Sequence, residues 1–320
     1  MAVRPLGVSG LSVTPIGLGL AALGRPAYIN VSRELGEDRS VAGLERRTHG
    51  VLEAAYAAGI RYFDAARSYG RAEQFLASWL ASCRPGGVTV GSKWGYRYIG
   101  GWQMDADVHE VKEHSLEMLE GQLDESRRWL GRNLDLYQIH SATPESGVLE
   151  DRAVLRRLGE LRRDGLVIGL SVSGPGQTDA IRQALDLSVD GVAVFQCVQA
   201  TWNVLEPSAG PALTEAKQAG WGVIVKEALA NGRLVSGEES RLLGKLAATH
   251  GVGSDAIALA AVLAQPFPDV VLSGATSASQ VQSNLAAMSV ELTSDDLDVL
   301  QTGQQPREAY WDTRSSLSWH

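Results

Sequence analysis

The chain alternates between short, nearly continuous apolar runs and longer stretches in which apolar residues recur at helical spacing. Residues 4–13 alternate around Gly10 and read as a small hairpin. Residues 14–20 (Thr-Pro-Ile-Gly-Leu-Gly-Leu) read as a Gly-rich strand, and 24–45 as a long polar loop. The pattern then becomes regular. A helix over 44–58, closed by Gly59, leads to a strand over 60–64, then a helix over 74–82 and a strand over 88–93. An aromatic, polar loop over 94–104 follows, with Asp105 or Asp107 as the cap of a helix that carries Leu116, Leu119 and Leu123 on one face and stops at Gly131. The remaining strands are expected over 134–139, 167–172, 192–197, 222–225 and 270–272. Between and after them, helices are expected over 150–163, 178–187, 211–219, 239–250, 255–264 and 278–287. An acidic helix over 295–300 and an aromatic tail close the chain. The alternation implies a parallel sheet, and eight strand–helix units without a linker imply its closure. The expected architecture is α/β, a (β/α)8 TIM barrel with an N-terminal β-hairpin and a C-terminal helix and tail, one domain over 1–320. An open doubly wound sheet is the runner-up, and no G-x-G-x-x-G follows any strand to support it.

Hydrophobic residues make up 44% of the 320, ample for a core of that size. Net charge is −8 and the basic residues are scattered, which disfavours nucleic acid and anionic membrane as partners. No apolar run reaches transmembrane length, and residues 1–7 lack the apolar segment of a signal peptide. The two cysteines, Cys83 and Cys197, have no metal-ligand spacing and sit beside apolar residues. They read as buried thiols in a reducing cytoplasm, with no metal expected. Only five lysines occur, at 93, 112, 217, 226 and 245, so a lysine closing a strand-like run stands out.

In a closed parallel barrel the site lies at the C-terminal ends of the strands. Asp64 and Tyr69 follow the second strand, Lys93 ends the third and His140 ends the fourth. Singly, each has a structural reading: a strand cap, a packed turn aromatic, a snorkelling lysine, a satisfied core histidine. Together, on three consecutive strands, they form an acid–base constellation. A lysine paired with Asp64 stays charged and draws the Tyr69 phenol below its usual pKa, so that it can exchange a proton with a carbonyl oxygen. His140 can orient that oxygen. The remaining histidines (49, 109, 114, 250, 320) read as helix-surface or tail residues.

These residues and their contexts (Phe63-Asp64-Ala65-Ala66, Ser68-Tyr69-Gly70, Ser92-Lys93 and Leu134 through Ser141) resemble the aldo-keto reductase family over nearly the whole chain. The resemblance implies an oxidoreductase with Tyr69 as general acid/base, Lys93 and Asp64 behind it, and His140 positioning the carbonyl. It also implies a dinucleotide bound without a Rossmann unit, NADP(H) by expectation and NAD(H) as the alternative. Ser171 and Gln199 match the carboxamide contacts, and Trp202 the ring that stacks on nicotinamide. Leu229 and Gly232 match the pyrophosphate loop. Gly274, Thr276, Ser277, Gln280 and Asn284 match the adenosine end. Four departures stand out: Ala65 for Thr, a short turn after Tyr69, Val172 for Asn, and Gln280 and Ser283 where relatives carry Arg and Glu. Trp94, Tyr96 and Trp102 after strand three, with Trp311 in the tail, are candidate substrate contacts that would stack on a sugar face or an aromatic aldehyde. The implied partner is a small carbonyl compound or sugar, and the sequence assigns no oligomeric state. Two other readings stay open: a Schiff-base lyase built on Lys226, and a nucleotide-binding regulatory barrel.

Overall fold

The computed structural model describes residues 1–29 and 35–319. Eight parallel strands close on themselves: β1 Ile16–Gly19, β2 Tyr62–Asp64, β3 Thr89–Trp94, β4 Leu136–Ala142, β5 Val167–Val172, β6 Cys197–Thr201, β7 Gly222–Lys226 and β8 Val270–Ser273. Sequential strands are neighbours throughout, and β8 returns to β1 through Val271 opposite Ile16. The strands are buried almost end to end, as expected of a parallel sheet with helices outside and a packed interior. Helix Arg152–Arg163 shows how the outer layer forms. Asp151 caps it by accepting from Ala153 and Val154 N–H, and Val154, Leu155, Leu158 and Leu161 form its buried stripe.

The N-terminal hairpin pairs Arg4–Pro5 with Ser12–Val13 and closes the bottom of the barrel. Leu6 and Val13 pack there with Tyr62, Leu136, Ile224 and Val270. Gly7 has φ +53, and a Cβ on it would lie 2.3 Å from Gly222 N, so only glycine lets the turn seat on the barrel. The catalytic ends of a barrel are the opposite ones, where the strands exit into loops.

Several expected elements move. The strand expected over 192–197 is β6, starting at Cys197, whereas Val192–Ala193 pairs with Ser188–Val189 in an outer hairpin. Polar Gln199 and Thr201 lie beyond the expected end of that strand, yet they belong to it and face inward on either side of Ala200. The aromatic loop after β3 contains a hairpin, Tyr96–Tyr98 with Glu110–Lys112. Neither Asp105 nor Asp107 caps the next helix. Ser115 does, accepting from Met118 N–H, and the helix is Leu116–Leu130. The tail contains a helix, Arg307–Ser315. Cys197 is buried as expected, but Cys83 is exposed at the end of helix Ala72–Cys83. The polar loop over 24–45 falls partly outside the described residues, as does His320.

Candidate active site

Strand alternation places Lys93 inside the barrel on β3, with Asp64 opposite Gly91 on the neighbouring β2. Gly91 leaves room at that point: a Cβ there would lie 2.4 Å from Tyr62 Oη. The Lys93 ammonium is buried against the Asp64 carboxylate and also donates to Ala65 O at 3.0 Å. Tyr62 Oη at 3.1 Å and Gln199 Nε2 at 2.9 Å donate to the other carboxylate oxygen. Three donors therefore surround one buried carboxylate, which is what a buried charge requires. The ammonium stands 3.4 Å from Tyr69 Oη.

His140 meets Tyr69 edge to face at 5.5 Å, and its Nδ1 lies 3.4 Å from Ser68 Oγ. Tyr96 tilts over the other side of the imidazole at 4.9 Å. Burial, with the charges of Lys93, Lys226 and Arg25, holds the His140 ring far below its usual pKa, so it is neutral. Burial and the Asp64 charge push the Tyr69 phenol well up, with Arg25 opposing. This reverses the expected downward pull of Lys93. The phenol keeps its proton.

Asp64, Tyr69 and His140 open onto a cavity of about 360 Å³ that extends to the loops after β7 and β8, with Lys93 buried behind them. Asp64, Tyr69, Tyr96, His140, Gln199, Leu229, Gly232, Gly274, Gln280 and Asn284 all line it. Other expected contacts are elsewhere. Trp94 follows inward-facing Lys93 by one residue, so alternation turns it outward into the core, against His114 at 5.7 Å. Trp102 packs on Phe75 at 6.4 Å and donates Nε1–H to Arg39 O. Trp311 is buried in a side cluster with Leu205, Leu234 and Leu300. Trp202 packs on Phe267 at 5.9 Å, off the cavity wall. Ser171 Oγ accepts from Ser141 N–H, and Ser173 lines the cavity instead. Thr276 is buried behind the wall, donating from its N–H and hydroxyl to Gln280 Oε1, and Ser277 caps helix Ala278–Leu285 by accepting from Gln280 N–H.

The cavity also has a wall that the sequence reading missed. Arg25 is buried between Tyr28, Tyr69 and Trp319, within 4.7 to 5.4 Å of each ring, and pairs with Glu110 at 2.6 Å. Arg314, from the C-terminal helix, grips both carboxylate oxygens of Glu227. Glu227 has φ +57, and Arg314 and Lys226 hold its carboxyl down to about 2 against the pull of burial. Lys226 donates to Thr201 Oγ1 at 2.7 Å, and burial lowers its ammonium to about 8. His109 and His114 are not surface residues: His109 stacks on Trp319 at 4.2 Å and His114 is wedged beside His140. Only the tail aromatics carried a legible signal; nothing local to Arg25 or Arg314 marks them.

Comparison with known proteins places this geometry. The model of the Aldo/keto reductase family matches residues 15–302. Pyridoxal 4-dehydrogenase of Microbacterium luteolum is 29% identical over 213 residues, spanning 57% of this chain and 58% of that protein, so the match covers little more than half of the relative. L-galactose dehydrogenase of Arabidopsis thaliana is 27% identical over 99% of this chain and 96% of its own length. The solved aldo-keto reductase AKR11C1 of Bacillus halodurans, in its holo form, superposes with a TM-score of 0.71 at 22% identity, covering 95% of this chain and 97% of that one. With the family model spanning nearly the whole barrel, the chain belongs to the aldo/keto reductase family, whose members are oxidoreductases of carbonyl groups and alcohols that generally use NAD(P)(H).

Proposed function

We propose that this chain interconverts a small aldehyde or sugar lactol and its oxidised or reduced partner, with NAD(P)(H) as the hydride carrier and Tyr69 as general acid/base. The observation that carries the reading is the Lys93 ammonium, fixed between the Asp64 carboxylate and Tyr69 Oη on the cavity wall. The far end of the cavity fits a dinucleotide. Asn231 Oδ1 is buried there without a partner among the described residues, and Ala230, Asn231 and Gly232 are successive left-handed residues that turn the loop backbone to the cavity. Leu229, Gly232, Gly274, Gln280 and Asn284 would hold the dinucleotide, and Gln199 would hold its carboxamide. When bound, the nicotinamide supplies or accepts the hydride.

In the reducing direction the protonated Tyr69 donates to the carbonyl oxygen. The nearby ammonium stabilises the phenolate as it forms. Neutral His140 donates a hydrogen bond to the same oxygen and aligns it. Asp64 keeps Lys93 in place, and Tyr62 and Gln199 keep Asp64 in place. In oxidation the same groups run in reverse. The aromatic wall of Tyr28, Tyr96 and Trp319, interleaved with the Arg25–Glu110 and Arg314–Glu227 pairs, suits a ring bearing several hydroxyls. The L-galactose and pyridoxal dehydrogenases among the relatives agree with ring-bearing carbonyl substrates.

The test is Tyr69→Phe, followed by nicotinamide absorbance with an aldehyde panel and with aldoses, and by nucleotide titration of tryptophan fluorescence with Trp319 on the wall as reporter. Turnover should fall by about 100-fold or more with cofactor affinity near wild type. Retention of more than about a tenth of wild-type turnover would remove Tyr69 from the acid role. Lys226 supports a second reading, imine formation with the substrate. Borohydride trapping then leaves an adduct on Lys226; hydride transfer alone leaves none.

A further inference from the structure

β4 pairs with β5 in register up to Ile139 opposite Leu170, and again at Ala142 opposite Val172. Between these points two residues, His140 and Ser141, face Ser171 alone, which is a β-bulge. The bulge carries His140 at the cavity and has Ser141 at φ +55, a backbone region unfavourable to a non-glycine residue that persists only where neighbours hold it. Ser171 Oγ accepts the Ser141 N–H at 2.9 Å. On the other side His114 Nε2 lies 2.9 Å from His140 O. A carbonyl only accepts, so His114 carries its proton on Nε2; its Nδ1 is buried with no partner among the described residues.

The space for this ring is built into the chain. Gly95 has φ +110, and a Cβ on it would lie 2.3 Å from His114 Cδ2 and 2.6 Å from His114 Nε2. Trp94 and Tyr96, on either side of Gly95, close over the imidazole at 5.7 and 6.4 Å. A half-buried histidine held this way, with one hydrogen bond and that one to the backbone of His140, has a narrow task. We propose that His114 is a positioning residue: through the His140 carbonyl it locks the β4 bulge in the geometry that aims the His140 imidazole beside Tyr69 into the cavity. It does not touch the substrate. The proposal rests on the reading of His140 given above.

The consequence is separable from folding. His114→Ala should lower kcat about 10-fold, as small misplacements of a catalytic group do, with cofactor affinity by fluorescence titration within about 2-fold of wild type. His114→Gln, whose Nε2 can donate at similar reach, should regain most of the lost kcat. In a His140→Ala background, His114→Ala should add no further loss, because the two residues act as one unit. Wild-type kcat in His114→Ala, a His114→Gln variant as slow as His114→Ala, or full additivity with His140→Ala would each overturn the proposal. If His140→Ala alone kept full turnover, the role of His140 itself would fall, and the positioning role with it.

Discussion

Removing the Lys93 ammonium should separate stability from activity. In Lys93→Met the Asp64 carboxylate keeps only the Tyr62 and Gln199 donors in a buried site. Breaking one partner from a buried ion pair costs about 3–5 kcal/mol, and those two donors put this case at the lower end. The catalytic loss is worked from the 3.4 Å between Lys93 Nζ and Tyr69 Oη. At an effective dielectric of about 20, unit charges at that distance interact by about 5 kcal/mol. A phenolate half formed in the transition state keeps about half of this, roughly 2–3 kcal/mol, or about 100-fold in kcat. The double variant Asp64→Asn/Lys93→Met removes both charges, so stability should return to within about 1–2 kcal/mol of wild type while kcat stays about 100-fold down. Urea unfolding measures the first quantity and steady-state nicotinamide absorbance the second. A folded Lys93→Met variant retaining more than about a tenth of wild-type kcat would refute the electrostatic account of Tyr69. A double variant no more stable than the single one would refute the account of the buried pair.

The rate of reduction should show no ionisation near pH 6.5, because burial keeps His140 neutral far below that value; an acid limb centred there would put a titrating imidazole in the mechanism. Burial likewise holds the His114 ring at about 4, whereas the unfolded chain takes that proton near pH 6.5. Its contribution to stability is therefore complete above about pH 6.5 and declines as pH falls toward about 4, by about 3 kcal/mol at most. His114→Gln should flatten that part of the urea-midpoint profile between about pH 7 and pH 4.5, and an unchanged slope would assign it to other groups. Gln280 lines the cavity, as does the Asp255 carboxylate. Gln280→Arg should raise affinity for NADPH relative to NADH by about 10-fold, as a charge-assisted contact to the 2′-phosphate would. An unchanged ratio in fluorescence titration would mean that this segment does not read that phosphate.

The barrel was legible because its code is local and repeated. Each strand is an apolar run, each helix a stripe, and the eightfold alternation leaves few closed arrangements. The positions of Asp64, Lys93 and His140 at the strand ends were legible for a related reason. A strand that places a titratable side chain at a barrel's mouth breaks its own apolar pattern there, and Asp64, Lys93 and His140 are such breaks. The same signal misled at β6, where inward-facing Gln199 and Thr201 fell outside the expected strand because their polar side chains break its apolar run. Aromatic composition misled in the opposite sense. Trp94 and Trp102 looked like substrate contacts because they are large and follow a strand, and Trp311 because it lies in an aromatic tail. Alternation turns Trp94 into the core, and helix packing buries Trp311. What composition could not supply is long-range pairing. Arg25 finds Glu110 across 85 residues and Arg314 finds Glu227 across 87. Neither partner has a local pattern, so the charged wall of the cavity exists only once the barrel brings the tail and the β1 loop together. His114 belongs to the same class. Its sequence neighbours, Glu113 and Ser115, mark a helix start. The room for its ring comes from a glycine nineteen residues earlier, whose missing Cβ leaves the space.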